Sequence, residues 1–252
     1  MTNDQRLPSA YHRTDAIARA MESGDHRQII GGMWDEIGRL QFDLLVDNGL
    51  QPRHRLIDLG CGSFRGGVHF ANYLDAGNYF GADINASIMD AGYDRELAPL
   101  GLANKVPRAN LLVTGDFDVG KLGTTFDYAL ALSLFTHLPI NLIRTCLEKL
   151  RPTMATDGRL FATFFVCDDG LPLWRPISHP RGGITTYGDA DPYHYKVADI
   201  EFMAGSTGWH IEREVRFDHP RSQRCFVLAT AGRTPCPVFG NRRSTISMGL
   251  IR

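Results

Sequence analysis

The stretch Leu56-Ile57-Asp58-Leu59-Gly60-Cys61-Gly62-Ser63-Phe64-Arg65-Gly66-Gly67 limits the fold more than any other part of this chain. A short apolar run meets a glycine turn, and beyond it Val68, Phe70, Ala71 and Leu74 fall at helical spacing. Strand, turn and helix in that order open a βα unit. Glycines at such a turn permit left-handed backbone and let a ligand reach the chain, while the following helix offers unpaired N–H groups. A nucleotide-like cofactor is therefore expected there, although a tight connection would also use glycines.

The alternation continues along the chain. Further strands are predicted at Tyr79–Ala82, Asn110–Thr114, Phe126–Leu132 and Arg159–Phe165, with helical stretches at Ala86–Gly92 and Ile140–Leu150. Strands alternating with helices imply a mostly parallel sheet covered on both faces. Upstream, the spacing of Ile29, Ile30, Met33, Trp34, Ile37, Leu40, Leu44 and Leu45 predicts an amphipathic helix over 28–46. From Cys167 to Tyr195 the pattern dissolves into Gly, Pro, His and aromatic residues, as in a cap or binding loop. A helix at Val197–Ser206 and strands at His210–Phe217 and Arg224–Thr230 follow, and the short link His219-Pro220-Arg221-Ser222 makes these two strands an antiparallel pair. The expected architecture is α/β: a doubly wound, seven-stranded, mostly parallel sheet with an antiparallel last strand. Its divisions are an amino-terminal helical segment (1–52), a cofactor-binding domain (53–232) with a cap insertion at about 167–195, and a carboxyl-terminal tail (233–252).

Charge and cysteine content narrow the function. With 27 Lys plus Arg against 28 Asp plus Glu, the net charge of −1 supplies no global field for nucleic acid or anionic membrane. Neither is expected as a partner. Cys61, Cys146, Cys167, Cys225 and Cys236 form no C-x-x-C pair, which points to a reduced, cytoplasmic compartment. The amino terminus lacks an apolar signal-peptide core, and the apolar run Leu160–Cys167 is too short to span a bilayer.

Asp83 closes the predicted second strand, about 20 residues beyond the glycines, where a carboxylate can accept the hydrogen bonds of a ribose diol. A helix N-cap by Asp83 or Asn85 is the alternative use. A dinucleotide fingerprint requires G-x-G-x-x-G, but counting from Gly60 places Arg65 at the third glycine. The pattern instead resembles motif I of the class I, Rossmann-like S-adenosylmethionine-dependent methyltransferases: Asp58 two residues before Gly60-Cys61-Gly62. The resemblance extends from about Arg55 to Thr230. It implies S-adenosylmethionine as cofactor, with S-adenosylhomocysteine as product, and contacts from Asp58, Gly60, Cys61 and Gly62; Arg65 at the helix start is a candidate ion pair for the cofactor carboxylate, with a surface salt bridge as the alternative use. It further implies Asp83 and Ile84 at the ribose, Asp116 and Phe117 at the adenine, and Leu132 and Ser133 beside the methyl group. One departure stands out, because Phe64 occupies a place where this family commonly has a third glycine.

Displacement of a methyl group already activated on a sulfonium needs orientation, and a base only where the acceptor must lose a proton. Imidazole suits that role near neutrality. His137, just past the predicted fourth strand, is the first candidate, with His179 and His194 in the cap; packing or capping roles are the alternatives. Trp174, Tyr187, Tyr193 and Tyr195 suit a cap around a flat or sugar-like acceptor, and Tyr11, His12 and Trp34 are candidates to fold over the cofactor. The loop Ser133-Leu134-Phe135 is not of the Asn/Asp-Pro-Pro-Tyr type, which disfavours nucleic-acid and glutamine acceptors. No acid ends the fourth strand to join Asp168 and Asp169 in a metal site, and no G-x-S-x-G elbow occurs. Expected is methyl transfer to a small-molecule acceptor, a hydroxyl of a sugar, aromatic or secondary metabolite. The alternatives are N- or C-methylation, non-catalytic binding of S-adenosylmethionine, and an NAD(P)-dependent oxidoreductase.

Overall fold

The computed structural model describes residues 17, 26–179 and 181–230. The expectations for Tyr11, His12, Cys236 and the tail from 233 lie outside the described residues. The strands are β1 (Leu56–Leu59), β2 (Tyr79–Asp83), β3 (Leu111–Val113), β4 (Phe126–Ala131), β5 (Met154–Val166), β6 (Ile177–His179), β7 (Ile184–Thr186), β8 (His194–Tyr195), β9 (Trp209–Val215) and β10 (Arg224–Thr230). The helices are α1 (His26–Ile29), α2 (Trp34–Asp47), α3 (Gly67–Tyr73), α4 (Ala86–Gly92), α5 (Ile140–Leu150) and α6 (Val197–Gly205). None is long and apolar enough to cross a membrane.

The main sheet runs β3-β2-β1-β4-β5-β10-β9, with β10 antiparallel to both of its neighbours. That is the expected architecture, and its physical basis is visible in β1. This strand pairs in parallel with β2 and β4 and is buried throughout, as a strand covered on both faces must be. Because β2 and β4 flank β1, the chain reverses its direction of travel across the sheet there, and a crevice opens at the carboxyl edge. Side-chain alternation splits the core in two. On β10, Cys225 and Val227 pack with Ile37, Leu45 and Phe70 of α2 and α3, whereas Phe226 and Leu228 pack with Ile143, Leu147 and Met203 of α5 and α6. Trp209 anchors β9 to α5 by donating its indole N–H to the Leu147 carbonyl at 2.9 Å.

Three local expectations change. The helix predicted over 28–46 is two helices, because Gly31 (φ 92°), Gly32 (φ 61°) and Met33 (φ 48°) make a left-handed run between α1 and α2. Residues 26–32 thereby become a separate strap. β5 begins at Met154, five residues before the predicted start, with a register irregularity against β4 between Phe126 and Tyr128. The segment read as irregular between 167 and 195 contains an antiparallel hairpin of β6 and β7, and β8 pairs in parallel with Phe165 and Val166 of β5.

Candidate active site

A cleft opens at the carboxyl ends of β1, β2 and β4, and the glycine turn forms its floor. The N–H groups of Gly60 and Cys61 both reach the Ala82 carbonyl, at 2.8 and 3.2 Å, so the turn is tied to β2. Gly60 (φ 70°) and Gly62 (φ 53°) are left-handed. A Cβ on Gly60 would stand 3.1 Å from Leu134 Cδ1, and one on Gly62 3.0 Å from Ile30 Cγ2, so side chains there would fill the cleft. Phe64 also holds φ 66°, fully buried, with its ring edge-on to Tyr79 at 6.2 Å. The backbone thus keeps a glycine conformation at the position where the resemblance lacks a glycine. Strain of about 1–3 kcal/mol at such a residue is offset by burial of the ring, about 1.5–3 kcal/mol.

Asp83 joins both strands at this edge. Its Oδ2 accepts the Gly62 N–H and its Oδ1 the Asn85 N–H, each at 2.9 Å, and the carboxylate lines the cleft with acceptor capacity remaining. The N-cap-like bond to Asn85 and an open side toward a ligand coexist. Burial raises the Asp83 pKa, and the backbone donors oppose the rise. Asp58 accepts the Tyr79 hydroxyl at 2.9 Å. Burial lifts its pKa to about 7, against the Tyr79 hydrogen bond, and the negative charge of Asp83 adds to the rise. Burial first, then the two carboxylates, push the Cys61 thiol well above its ordinary range, so it is no nucleophile. Arg65 Nη1 donates to the carbonyls of Ile30 (3.2 Å) and Gly32 (2.9 Å), holding the strap across this end of the cleft.

The other end is built from segments far apart in sequence. Ser133 leaves β4 at φ 57°, donating its N–H to Thr163 Oγ1 at 2.8 Å. Ser133 Oγ and Thr163 Oγ1 both donate to Gln223 Oε1, at 3.0 and 2.7 Å. His137 lines the cleft with its Nδ1 2.6 Å from Asp191 Oδ1. An ionised Asp191 can only accept, which places the hydrogen on Nδ1 and the lone pair on Nε2. Phe165, Ile184 and Pro192 supply apolar walls, Gln223 joins this end through Ser133 and Thr163, and Arg221 lines the cleft with its Nη2 on the Gly31 carbonyl of the strap.

Of the candidate residues, Asp58, Gly60, Cys61, Gly62, Arg65, Asp83, Ile84, Phe117, Leu132, Ser133 and His137 come together around the cleft. Asp116 does not line it, although Gly115 and Phe117 do. Its carboxylate turns outward to the Thr114 hydroxyl at 2.6 Å and Lys149 at 3.2 Å, and the Thr114 bond, the Asp118 N–H and Lys149 hold its pKa well below the usual range. His179 and His194 are likewise outside the lining, buried in a relay in which Thr186 Oγ1 bridges His179 Nε2 (3.0 Å) and His194 Nδ1 (2.9 Å). His194 Nε2 reaches the Leu173 carbonyl at 2.8 Å, so this relay braces the cap. Tyr193 and Tyr195 pack into the core, Trp174 is 77% exposed, and Trp34 lies under the Arg27 guanidinium at 4.6 Å. Sequence reasoning does not single out Ile30, Asp191, Arg221 or Gln223 as site residues: Ile30 reads as part of an apolar helix face and Arg221 as part of a turn, and Asp191 and Gln223 stand in no recognisable local pattern.

No known protein-family model matches the chain. Solved structures do resemble it. Magnesium protoporphyrin IX methyltransferase from Synechocystis PCC 6803, with bound S-adenosylhomocysteine, superposes with a TM-score of 0.57 at 18% identity, covering 83% of this chain and 94% of that one. A DhpI–S-adenosylhomocysteine complex gives 0.59 at 15% identity, covering 90% of this chain and all of the other. The CcbJ methyltransferase of Streptomyces caelestis gives 0.56 at 16%, covering 76% and 89%. The chain has the fold of class I methyltransferases.

Proposed function

We propose that this protein transfers a methyl group from S-adenosylmethionine to a small-molecule acceptor, with a hydroxyl oxygen as the acceptor atom. The observation that carries the reading is the join of Asp83 to the glycine turn: the acid of β2 and the left-handed backbone after β1 form one cradle on the cleft floor. The donor set fits the cofactor. Asp83 retains acceptor capacity for a ribose diol, Arg65 at the turn suits a carboxylate, and Phe117 with Ile84 offers apolar surface to a base. Asp116 points elsewhere, so the adenine is read by Phe117 and backbone groups around Gly115 in this proposal. The bound cofactor supplies a methyl group made electrophilic by the sulfonium.

The chain's own task is then alignment and one proton transfer. Phe165, Ile184 and Pro192 hold the acceptor's apolar body and exclude water, favouring in-line approach. His137 Nε2 would take the proton of the acceptor hydroxyl as that oxygen accepts the methyl group, with S-adenosylhomocysteine as the leaving product. Asp191, bonded to Nδ1, keeps the imidazole in the required tautomer and stabilises the imidazolium. The neighbours' printed activities, a magnesium protoporphyrin IX methyltransferase and a mitomycin 7-O-methyltransferase among them, agree with a small-molecule acceptor. The test is titration calorimetry with S-adenosylhomocysteine and, separately, NADH. Micromolar binding of the first and none of the second is expected; the reverse would replace methyl transfer with hydride transfer.

A further inference from the structure

The cleft carries a positive charge, at Arg221, that no carboxylate among the described residues neutralises. Arg221 lines the cleft, and its Nη2 donates to the Gly31 carbonyl at 2.6 Å. Gly31 makes room for it, since a Cβ there would lie 2.8 Å from Arg221 Nη1. Among the described residues no carboxylate pairs with Arg221, whereas Arg27, Arg159 and Arg224 each grip a glutamate through two nitrogens. The carboxylates lining the cleft, Asp58 and Asp83, belong to the cofactor end, and Asp191 is engaged by His137.

Two neighbours reinforce this. Gln223 lines the same cleft, and its Oε1 is occupied by two hydroxyls. Thr163 Oγ1 accepts the Ser133 N–H and donates to the amide oxygen, as Ser133 Oγ does, and in this orientation the Gln223 NH₂ is left as a donor. His219, 1% exposed, accepts the Arg221 N–H on Nδ1 at 3.2 Å. Burial, then the guanidiniums of Arg65, Arg221 and Arg181, press its pKa to about 3, so it stays neutral and adds no second positive charge beside Arg221. Two guanidiniums thus line a cleft whose proposed cofactor brings one carboxylate. Arg65 stands on the glycine turn and suits that one, which leaves Arg221.

We propose that the methyl acceptor is a hydroxy acid whose oxyanion, a carboxylate or phosphonate, is held by the Arg221 guanidinium and the Gln223 amide, while a separate hydroxyl is served by His137. The assignment rests on the methyl-transfer reading above. It gives the apolar walls of Phe165, Ile184 and Pro192 the acceptor's body, and the donor-only pair its charged end.

The test uses the full chain saturated with S-adenosylhomocysteine, titrated with benzoate, phenylphosphonate and benzamide. At least one acid should bind about tenfold or more tightly than the neutral amide, and which one binds identifies the oxyanion. Arg221→Gln should abolish the preference and Arg221→Lys should keep part of it, with S-adenosylhomocysteine affinity in the lysine variant near wild type. The lysine variant retains a donor toward Gly31, so a folding defect in the glutamine variant does not mask the result. Equal binding of benzamide and the acids, or no binding of either acid, overturns the proposal. So does a loss of S-adenosylhomocysteine affinity in both variants equal to the loss for the acid, which would assign Arg221 to the cofactor. Failure of wild type to bind S-adenosylhomocysteine appears before any acid is added; it removes the methyl-transfer reading and this proposal with it.

Discussion

The two ends of the cleft are built in opposite ways. At the cofactor end, the residues from Asp58 to Ile84 form one βαβ unit, and the contacts that shape it start from backbone N–H groups of the turn, Gly60 and Cys61 to the Ala82 carbonyl and Gly62 to the Asp83 carboxylate. At the other end, His137, Asp191 and Gln223 come from three separate connections and are held through side chains, His137 by Asp191 and Gln223 by Ser133 and Thr163, while Arg221 reaches from the β9–β10 connection to the Gly31 carbonyl of the strap. A backbone-built end constrains the local pattern of residues. A side-chain-built end leaves the local pattern free, which permits one cofactor cradle to serve different acceptors.

The largest expected effect lies at the acceptor end. His137→Ala should lower the methyl-transfer rate by about 10²–10⁴-fold while leaving S-adenosylhomocysteine affinity intact. A parallel loss of affinity in calorimetry would show that the two ends are not separable. Next comes the strained residue beneath the cradle. Phe64→Ala should cost about 3–5 kcal/mol in urea unfolding through the cavity it leaves, and Phe64→Gly should be less damaging by about 1 kcal/mol because glycine tolerates the left-handed backbone. Equal losses would mean that φ 66° stores no strain.

A smaller effect follows from Asp58. Its carboxyl keeps a proton up to about pH 7 when folded, against an ordinary value of 3.8. Between those values the folded state binds the extra proton, so the contribution of Asp58 to stability falls as pH rises from about 4 to about 7. Melting temperatures of wild type relative to Asp58→Asn should therefore decline across that window. A difference that is constant with pH would contradict the buried, proton-holding Asp58.

The same contrast explains what could be read from the residues. Asp58, Gly60, Gly62 and Asp83 announce themselves because strand, turn and helix impose their spacing, and the mostly parallel sheet follows from the alternation. Phe64 looked like a gap in the pattern, yet only its side chain departs, since packing against Tyr79 holds the backbone where a glycine would go. Apolar spacing carried the predicted helix straight through Gly31 and Gly32, whose left-handed backbone breaks it and frees the strap. The position of Asp116 depended on competition between Thr114, Lys149 and the cleft, which no local spacing encodes. Asp191 and Gln223 stand 54 and 90 residues from the cleft residues they bond, His137 and Ser133. Histidines within an aromatic cap gave no sign that Thr186 would tie two of them together and away from the cleft.

The most direct test of the separation is calorimetry with S-adenosylhomocysteine on wild type, Asp83→Ala and Asp191→Ala. Asp83→Ala should weaken binding by about 1–3 kcal/mol through lost charged hydrogen bonds, while Asp191→Ala binds as wild type does. Unchanged affinity in Asp83→Ala, or an equal loss in Asp191→Ala, would contradict a cofactor cradle that is built around β1, β2 and the glycine turn and is separable from the His137–Asp191 end.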